Sequence, residues 1–316
     1  MEIQPEFDLG RADPGFDVGR ARLSGPDMFQ RFRVPAEGKP LRNVKLNPIE
    51  VLILVERDGQ RIAFTARQLS YHHIAQGKLN GFPYLAAFCG VCHSGMGLVP
   101  LVDGRLHNFS AGGLYDGLIL LIDDESKTYW NHITGEGVHG PLSGKHLETF
   151  PLEITNVKKE LERDPNLQIQ ISTPNMFGRF FSRFIHSKPY FDHGRFPPGF
   201  RGTMGKSDSR LPEMSSGLGV IEGRNTRFYP VKIIQGGIID DFGGKPLKVA
   251  IDEITHVPYA VFEDKDESRP LQIFTRWYGF SYSYPDCTVY KTLNYESDIS
   301  TERSEHRSWR SSKKSS

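Results

Sequence analysis

The sequence is poor in cysteine and has no long apolar segment. Only three of its 316 residues are cysteine, a small and odd number that argues against a disulfide framework. The longest apolar run, residues 117–122, is far shorter than the roughly 20 residues of a membrane span. The first residues, M-E-I-Q-P-E, are acidic and lack the apolar centre of a secretory signal. We therefore expect a protein of the reducing cytoplasm that does not enter a membrane.

An excess of charge of one sign is also lacking. The 39 Lys and Arg residues balance 38 Asp and Glu residues, which argues against nucleic acid or a membrane surface as the main partner. Glycine and proline are abundant instead, with 32 and 21 residues. This excess favours turns and short strands over long helices. The expected fold is α+β, mainly short antiparallel strands and hairpins with few helices.

Turn residues and composition divide the chain into five parts. Apolar runs predict strands over 49–56 and 84–88, and the pattern between them predicts one helix over 68–78. A second helix is expected over 156–163, where Asp164 and Pro165 end it. The parts are an irregular N-terminal arm (1–45), a first half (46–172), a bridging loop with five prolines (173–218), a second, shorter half (219–299) and a disordered tail (300–316).

The two halves resemble each other, which predicts an internal repeat. The matching stretches, in the same order, are 58–64 with 224–230, 80–88 with 243–251, and 155–165 with 275–285. In this alignment Cys89 falls opposite Asp252, and Cys92 falls opposite Thr255. The first half alone has an additional series of hairpins after the cysteines. We infer that chemistry belongs to the first half and that the second half supports it.

The strongest chemical motif is the string C-G-V-C-H at residues 89–93. The C-x-x-C spacing brings two sulfurs together across a tight turn. It serves metal binding, dithiol–disulfide exchange or, with His93, haem attachment. Haem attachment is the weakest of these because it is typical of exported proteins. A thioredoxin-type helix is disfavoured because two glycines and a proline follow the pair. Cys287 has no neighbouring Cys or His, so a four-cysteine zinc site is excluded, whereas a site with one or two histidines remains.

These motifs resemble a family called domain of unknown function 3179. Its C-P-L-C-G-S stretch corresponds to residues 89–94, although glycine and valine replace the Pro-Leu pair and His93 stands where the family has glycine. The resemblance covers about residues 45–293. Further matching elements lie at 110–115, 134–136, 140–144 and 208–220.

The resemblance also implies a histidine ligand. The family's W-H-E-I element corresponds to residues 71–74, Y-H-H-I, which places His72 beside Cys89 and Cys92 as a third ligand. His93 is a further candidate. Soft thiolates favour copper, with zinc or iron as other thiophilic metals.

The predicted function is an oxidoreductase that acts on a small-molecule substrate at this thiolate-centred metal site. Cys89 and Cys92 would be catalytic, and Tyr115, Asp116 and His132 of the additional hairpins would carry protons or orient the substrate. Two alternatives stay open. One is metal-free dithiol–disulfide chemistry by the same pair. The other is a non-enzymatic binding module in which the pair only fixes a turn.

Overall fold

The computed structural model describes residues 15–26, 28–173 and 196–291. The helices within these ranges are α1 (Ala66–His72), α2 (Val157–Arg163) and α3 (Trp277–Ser283), with 3₁₀ turns at Leu41–Asn43 and Arg201–Thr203. The strands are β1 (Arg22–Leu23), β2 (Phe32–Arg33), β3 (Lys39–Pro40), β4 (Val51–Arg57), β5 (Gln60–Thr65), β6 (Ile74–Leu79), β7 (Phe82–Cys89), β8 (Ser94–Leu98), β9 (Leu101–Val102), β10 (Arg105–Leu106), β11 (Phe109–Tyr115), β12 (Leu118–Asp123), β13 (Tyr129–Asn131), β14 (Gly137–His139), β15 (Thr149–Pro151), β16 (Glu153–Asn156), β17 (Gln168–Gln170), β18 (Ser216–Glu222), β19 (Asn225–Pro230), β20 (Ile238–Phe242), β21 (Lys245–Ile251), β22 (Pro258–Phe262), β23 (Leu271–Arg276) and β24 (Thr288–Val289).

The strands form five sheets and one small hairpin, β9–β10. The strand orders are β1-β11-β12-β13-β14, β15-β8-β7-β6-β2, β16-β4-β5-β17-β3, β23-β18-β19-β24 and β20-β21-β22. Most pairings are antiparallel; parallel ones join β2 to β6, β17 to β5 and β24 to β19. The prediction of mainly antiparallel strands with few helices is therefore confirmed.

The arrangement of the five sheets resembles a five-bladed propeller rather than a plain α+β fold. Each α-helix in the described ranges has seven residues, about two turns, which is too short to form a helical layer against a sheet. The main apolar core instead joins side chains of several sheets, including Met96, Leu121, Trp130, Phe228 and Trp277. The α+β expectation is corrected accordingly.

Two groups of sheets share one connectivity. The order β16-β4-β5-β17 recurs as β23-β18-β19-β24, with the same antiparallel and parallel senses. The order β8-β7-β6 recurs as β22-β21-β20. Helix α2 follows β16 as α3 follows β23. The additional hairpins of the first group supply β11 to β14, which form a sheet of their own with β1.

The single helix predicted over 68–78 is wrong. Helix α1 begins after Thr65, whose hydroxyl accepts from the Gln68 N–H, and ends at His73, which has a left-handed φ of 61°. Beyond it, Ile74–Leu79 pairs with β7 as strand β6. Pairing of this apolar stretch in the sheet overrides the local helical pattern, because tertiary packing outweighs weak intrinsic propensity.

The described part of the N-terminal arm has little regular structure but pairs with the sheets. Its three short strands pair with β11, β6 and β17 respectively. Residues 1–14, residue 27, the part of the bridging loop at 174–195 and the predicted tail lie outside the described residues. Within the described ranges, no helix has the length and apolar character needed to cross a membrane.

Candidate functional site

The cysteine pair lies on a tight turn between two buried strands. Cys89 is the last residue of β7 and pairs with Ser94, the first residue of β8. Within the turn, His93 has a left-handed φ of 54°. The turn forms here because β7 and β8 are buried apolar strands that must reverse direction within four residues. Both sulfurs are enclosed, since Cys89 is 2% exposed and Cys92 is fully buried.

The surroundings of Cys89 lower the pKa of its thiol. The neighbouring Cys92 side chain makes the largest contribution, which outweighs the opposing effect of burial and brings the pKa to about 7. Hydrogen bonds from the backbone of Cys92, Val91 and Ile119 lower this pKa further. Hydrogen bonds to the charged form of a group favour that form. The turn therefore stabilises Cys89 as a thiolate.

Cys92 has the opposite character and belongs to a buried polar chain. Burial raises its pKa well above the ordinary value, and the neighbouring Cys89 raises it further. Its Sγ lies 2.6 Å from Ser94 Oγ, which lies 2.9 Å from His132 Nε2. Because His132 Nδ1 donates to the Ile119 carbonyl at 2.9 Å, Nε2 is left to accept from Ser94. Burial lowers the pKa of His132 to about 3, so the ring is neutral.

Residues around the start of α3 hold the cysteine turn from the other side. The Arg276 N–H and the Thr275 hydroxyl both donate to the Cys92 carbonyl, at 2.9 and 3.1 Å. Arg276 Nε donates to the Val91 carbonyl at 3.1 Å. The Tyr278 hydroxyl donates to the Gly117 carbonyl at 3.4 Å, and burial, together with the nearby cysteines, raises the pKa of Tyr278 well above its ordinary value. The turn is thus fixed by residues distant in sequence.

The turn after β21 has the same backbone arrangement with different side chains. Asp252 Oδ1 accepts from the N–H groups of Ile254 and Thr255, at 3.1 and 2.8 Å, and from the Thr255 hydroxyl at 2.9 Å. These donors stand two and three residues after the acceptor, as Val91 and Cys92 stand after Cys89. His256 has a φ of 57°, close to that of His93. The Cys89 sulfur thus occupies a position built to receive a negative charge.

The structure does not bring His72 to the cysteines. Its Nδ1 donates to the Gln30 carbonyl at 2.6 Å, and its Nε2 accepts from Ser172 Oγ at 2.8 Å. Both ring nitrogens are therefore occupied elsewhere. His93 lies in the cysteine turn, where burial and the nearby Arg276 charge lower its pKa to about 4.

Tyr115 and Asp116 are not in the cysteine site either. Both are held by Arg20, whose guanidinium donates to the Tyr115 hydroxyl at 2.6 Å and to the Asp116 carboxylate at 2.5 Å. Asp116 also accepts from the Gly205 N–H. The two residues fasten the N-terminal arm. Of the three polar residues predicted to line the site, only His132 reaches it, through Ser94.

The donor set does not fit the predicted metal site. In the described residues, the cysteines have no third Cys, His, Asp or Glu ligand atom positioned to share an ion with both sulfurs. Structural and catalytic zinc sites use three or four protein ligands. His107, Asp123 and Glu125 do lie close together, but other groups already hold the carboxylates. Asp123 accepts from Ser126, Thr128 and the Trp130 indole, and Glu125 accepts from Asn108.

A cavity of about 760 Å³ lies elsewhere, between the edges of four sheets. Residues of β15, β16, β22 and β23 line it, among them Phe150, Glu153, Tyr259 and Gln272. Neither cysteine is part of its wall. The two cysteines are enclosed by packed side chains and lie outside this cavity.

Three residues near the cysteines were not among the predicted site residues: Ser94, Arg276 and Tyr278. Ser94 could have been found because it directly follows the C-x-x-C-H string. Arg276 and Tyr278 lie in the stretch that aligns with 155–165, so the repeat marked their segment but not its contact with the cysteines.

The family comparison agrees with the motifs. Residues 34–309 match the model of the family described as Protein of unknown function (DUF3179). Neither the curated proteins nor the solved structures contain a match to this chain. Because the family model spans nearly the whole sequence, the protein belongs to the DUF3179 family.

Proposed function

We propose that this protein is a thiol-based oxidoreductase in which Cys89 and Cys92 form a dithiol–disulfide couple. The observation that carries the proposal is the placement of two enclosed cysteines on one tight turn, where the Cys92 sulfur bonds to Ser94 and the neighbouring groups lower the pKa of Cys89 to about 7. A neutral thiol is a weak acceptor, whereas a charged acceptor makes stronger hydrogen bonds. The site therefore favours the nucleophilic form of Cys89.

The two cysteines have complementary roles in such a couple. Cys89 is the thiolate that attacks, and Cys92 is the protonated neighbour within hydrogen-bonding distance of it. On oxidation the sulfurs bond to each other, and two electrons and the single proton of the Cys92 thiol leave the pair. On reduction two external thiols become a disulfide, the Cys89–Cys92 bond breaks, Cys92 regains its proton and Cys89 returns as the thiolate. A cytoplasmic location would supply that reductant.

The geometry favours this metal-free couple over the metal-centred oxidoreductase expected from the sequence. His72 is engaged with Gln30 and Ser172, and the cysteines have no third ligand of the described residues beside them. The polar chain from Cys92 through Ser94 to His132 orients a thiol rather than completing a coordination sphere.

The shared sheet connectivity supports a duplicated scaffold in which only the first copy became reactive. In the turn of the second copy the equivalent position is Asp252, whose carboxylate is held by Thr255 and Lys159. We infer that Cys89 occupies the same position of the first copy, with a sulfur in place of the carboxylate.

Thiol counting on the purified full chain tests the proposal. Diamide should remove two of the three thiols, and a reductant should restore both. Cys287→Ser is the matched control, because Cys287 lies outside the pair and its replacement should leave the two-thiol change intact. Cys92→Ser should abolish the change.

Two results would contradict the proposal. One is a thiol count that diamide does not alter in folded protein. The other is one equivalent of metal in the purified chain whose removal requires loss of both sulfurs, because that would restore the metal-centred function.

A further inference from the structure

The burial of the pair limits what can oxidise it. Cys89 is 2% exposed and Cys92 is fully buried, and the described cavity does not include either sulfur. Attack on a protein disulfide requires the thiolate to reach a sulfur of the partner in line with its S–S bond. A folded partner cannot present such a bond to an enclosed sulfur. The oxidant must be small enough to enter between packed side chains, and an uncharged molecule enters at the lowest cost.

The site also contains a proton donor beside the pair. The Tyr278 hydroxyl donates to the Gly117 carbonyl across a long contact of 3.4 Å, and the next residue on α3, Gly279, lies directly against the Cys92 Cβ. Tyr278 is 1% exposed, and its raised pKa keeps the hydroxyl protonated. Reduction of an O–O bond by a thiolate creates an alkoxide or hydroxide that needs a proton. The buried tyrosine can provide it without bulk water.

The second sulfur is held ready to complete the reaction. Cys92 lies within hydrogen-bonding distance of Cys89, and Ser94 Oγ at 2.6 Å fixes its side chain. His132 in turn fixes Ser94. Ser94 and His132 are therefore positioning residues for Cys92. A sulfenic acid formed on Cys89 would meet this thiol immediately.

We propose that the substrate of the pair is a small uncharged hydroperoxide; this rests on the proposed dithiol–disulfide function. The Cys89 thiolate attacks the terminal oxygen, the O–O bond breaks, and the leaving oxygen takes a proton from Tyr278, which yields an alcohol or water and a Cys89 sulfenic acid. The Cys92 thiol then attacks that sulfur, its proton leaves with the hydroxyl as water, and a disulfide forms. Tyr278 regains its proton from solvent. An external thiol reduces the disulfide and closes the cycle.

The test uses full-length Cys92→Ser protein, in which a sulfenic acid on Cys89 cannot be resolved. Hydrogen peroxide is added for a timed interval, the protein is then unfolded in a dimedone-type probe so that the probe need not enter the enclosed site, and peptide mass spectrometry follows labelling of each cysteine. Cys89 should react at least about 100-fold faster than Cys287 of the same chain, since only Cys89 has a stabilised thiolate. Cumene hydroperoxide, which is bulky, should react much more slowly at Cys89. Tyr278→Phe should slow the reaction with hydrogen peroxide about 100-fold.

The outcomes separate this inference from the function on which it rests. If diamide closes the Cys89–Cys92 disulfide but hydrogen peroxide labels Cys89 no faster than Cys287, the hydroperoxide assignment is overturned and the couple stands. If neither reagent changes the pair, both fail. A Tyr278→Phe rate equal to that of the parent, in a variant with unchanged circular dichroism, removes Tyr278 as the proton donor.

Discussion

The turn after β7 and the turn after β21 share a backbone and differ in chemistry. In both, a side chain at the first position accepts from residues two and three places later, and a histidine at the fifth position is left-handed. Asp252 uses these donors to hold a carboxylate, whereas Cys89 uses them to hold a sulfur. The two turns therefore place different chemical groups, a thiol and a carboxylate, on the same backbone.

The surroundings of the two turns differ in charge. Lys159 on α2 forms an ion pair with Asp252. In the alignment of the halves Lys159 corresponds to Gly279 on α3, where a Cβ would lie 3.3 Å from the Cys92 Cβ. The carboxylate is thus neutralised by a cation, whereas the Cys92 side chain and neighbouring backbone groups lower the pKa of Cys89.

Each half also clamps the turn of the other through corresponding residues. Asn156 Nδ2 donates to the Ile254 carbonyl at 3.2 Å, and Arg276 Nε donates to the Val91 carbonyl at 3.1 Å. Asn156 and Arg276 precede α2 and α3 as their N-cap residues. The shorter half thus takes part in fixing the cysteine turn.

The largest effect is expected when the first turn is given the side chains of the second, because this removes the chemical difference between the two turns. The double variant Cys89→Asp, Cys92→Thr should lose all reversible thiol oxidation at this site. It should also lower the free energy of unfolding by about 3 kcal/mol, because the new carboxylate is buried without a lysine. Thiol counting and urea denaturation measure the two effects. A variant as stable as the parent would show that the first turn accepts a carboxylate as readily as the second.

Removing the two clamps should have unequal effects. Arg276→Ala should lower the free energy of unfolding by about 2 kcal/mol, because it leaves the partly buried carbonyls of Val91 and Met214 without their donors. Asn156→Ala should lower it by about 1 kcal/mol, mainly through loss of the helix cap to Lys159 N–H. Urea denaturation of both variants measures the difference, and a larger loss in Asn156→Ala would reverse the assignment.

The ion pair at the second turn should give a pH-dependent contribution at acid pH, below the range in which a cysteine ionises. Although burial opposes ionisation, hydrogen bonds from Lys159 and Thr255 lower the pKa of Asp252 from 3.8 to about 2. The folded state therefore gains stability from this group above pH 4 and loses it as the pH falls toward 2. Asp252→Asn should reduce the free energy of unfolding at pH 7 by about 1 kcal/mol, a modest value because solvent screens the pair.

Urea denaturation across this pH range gives the check. The difference between parent and Asp252→Asn should shrink below pH 4 and vanish near pH 2. A difference that is constant with pH would mean that the carboxylate charge does not contribute.

The sequence was sufficient for the elements that depend on local pattern. The C-x-x-C turn, the strand before it and the match of Cys89 with Asp252 all follow from residue order. Contacts that depend on where a helix ends could not be predicted from the residue order. His72 faces Gln30 and Ser172 because α1 stops at His73, whereas the sequence predicts a longer helix.

Contacts between residues that are distant in sequence could not be predicted either. Tyr115 and Asp116 are near the cysteines in sequence but bind Arg20 of the arm. Arg276 and Tyr278 are far away in sequence but contact Cys92 or its turn. Sheet packing decides these pairs, and no spacing rule in a single sequence encodes it.

The ionisation of Cys89 tests the central claim most directly. In Cys287→Ser protein the pair supplies the only cysteine thiols. Thiolate absorbance or the NMR shift of labelled cysteine then measures the ionisation of the pair as a function of pH. We predict that the first thiol of the pair ionises below the ordinary cysteine value of about 8.5 and that this ionisation disappears in a Cys89→Ser variant. A first ionisation at or above that value would contradict the account, because the turn would then hold a neutral thiol.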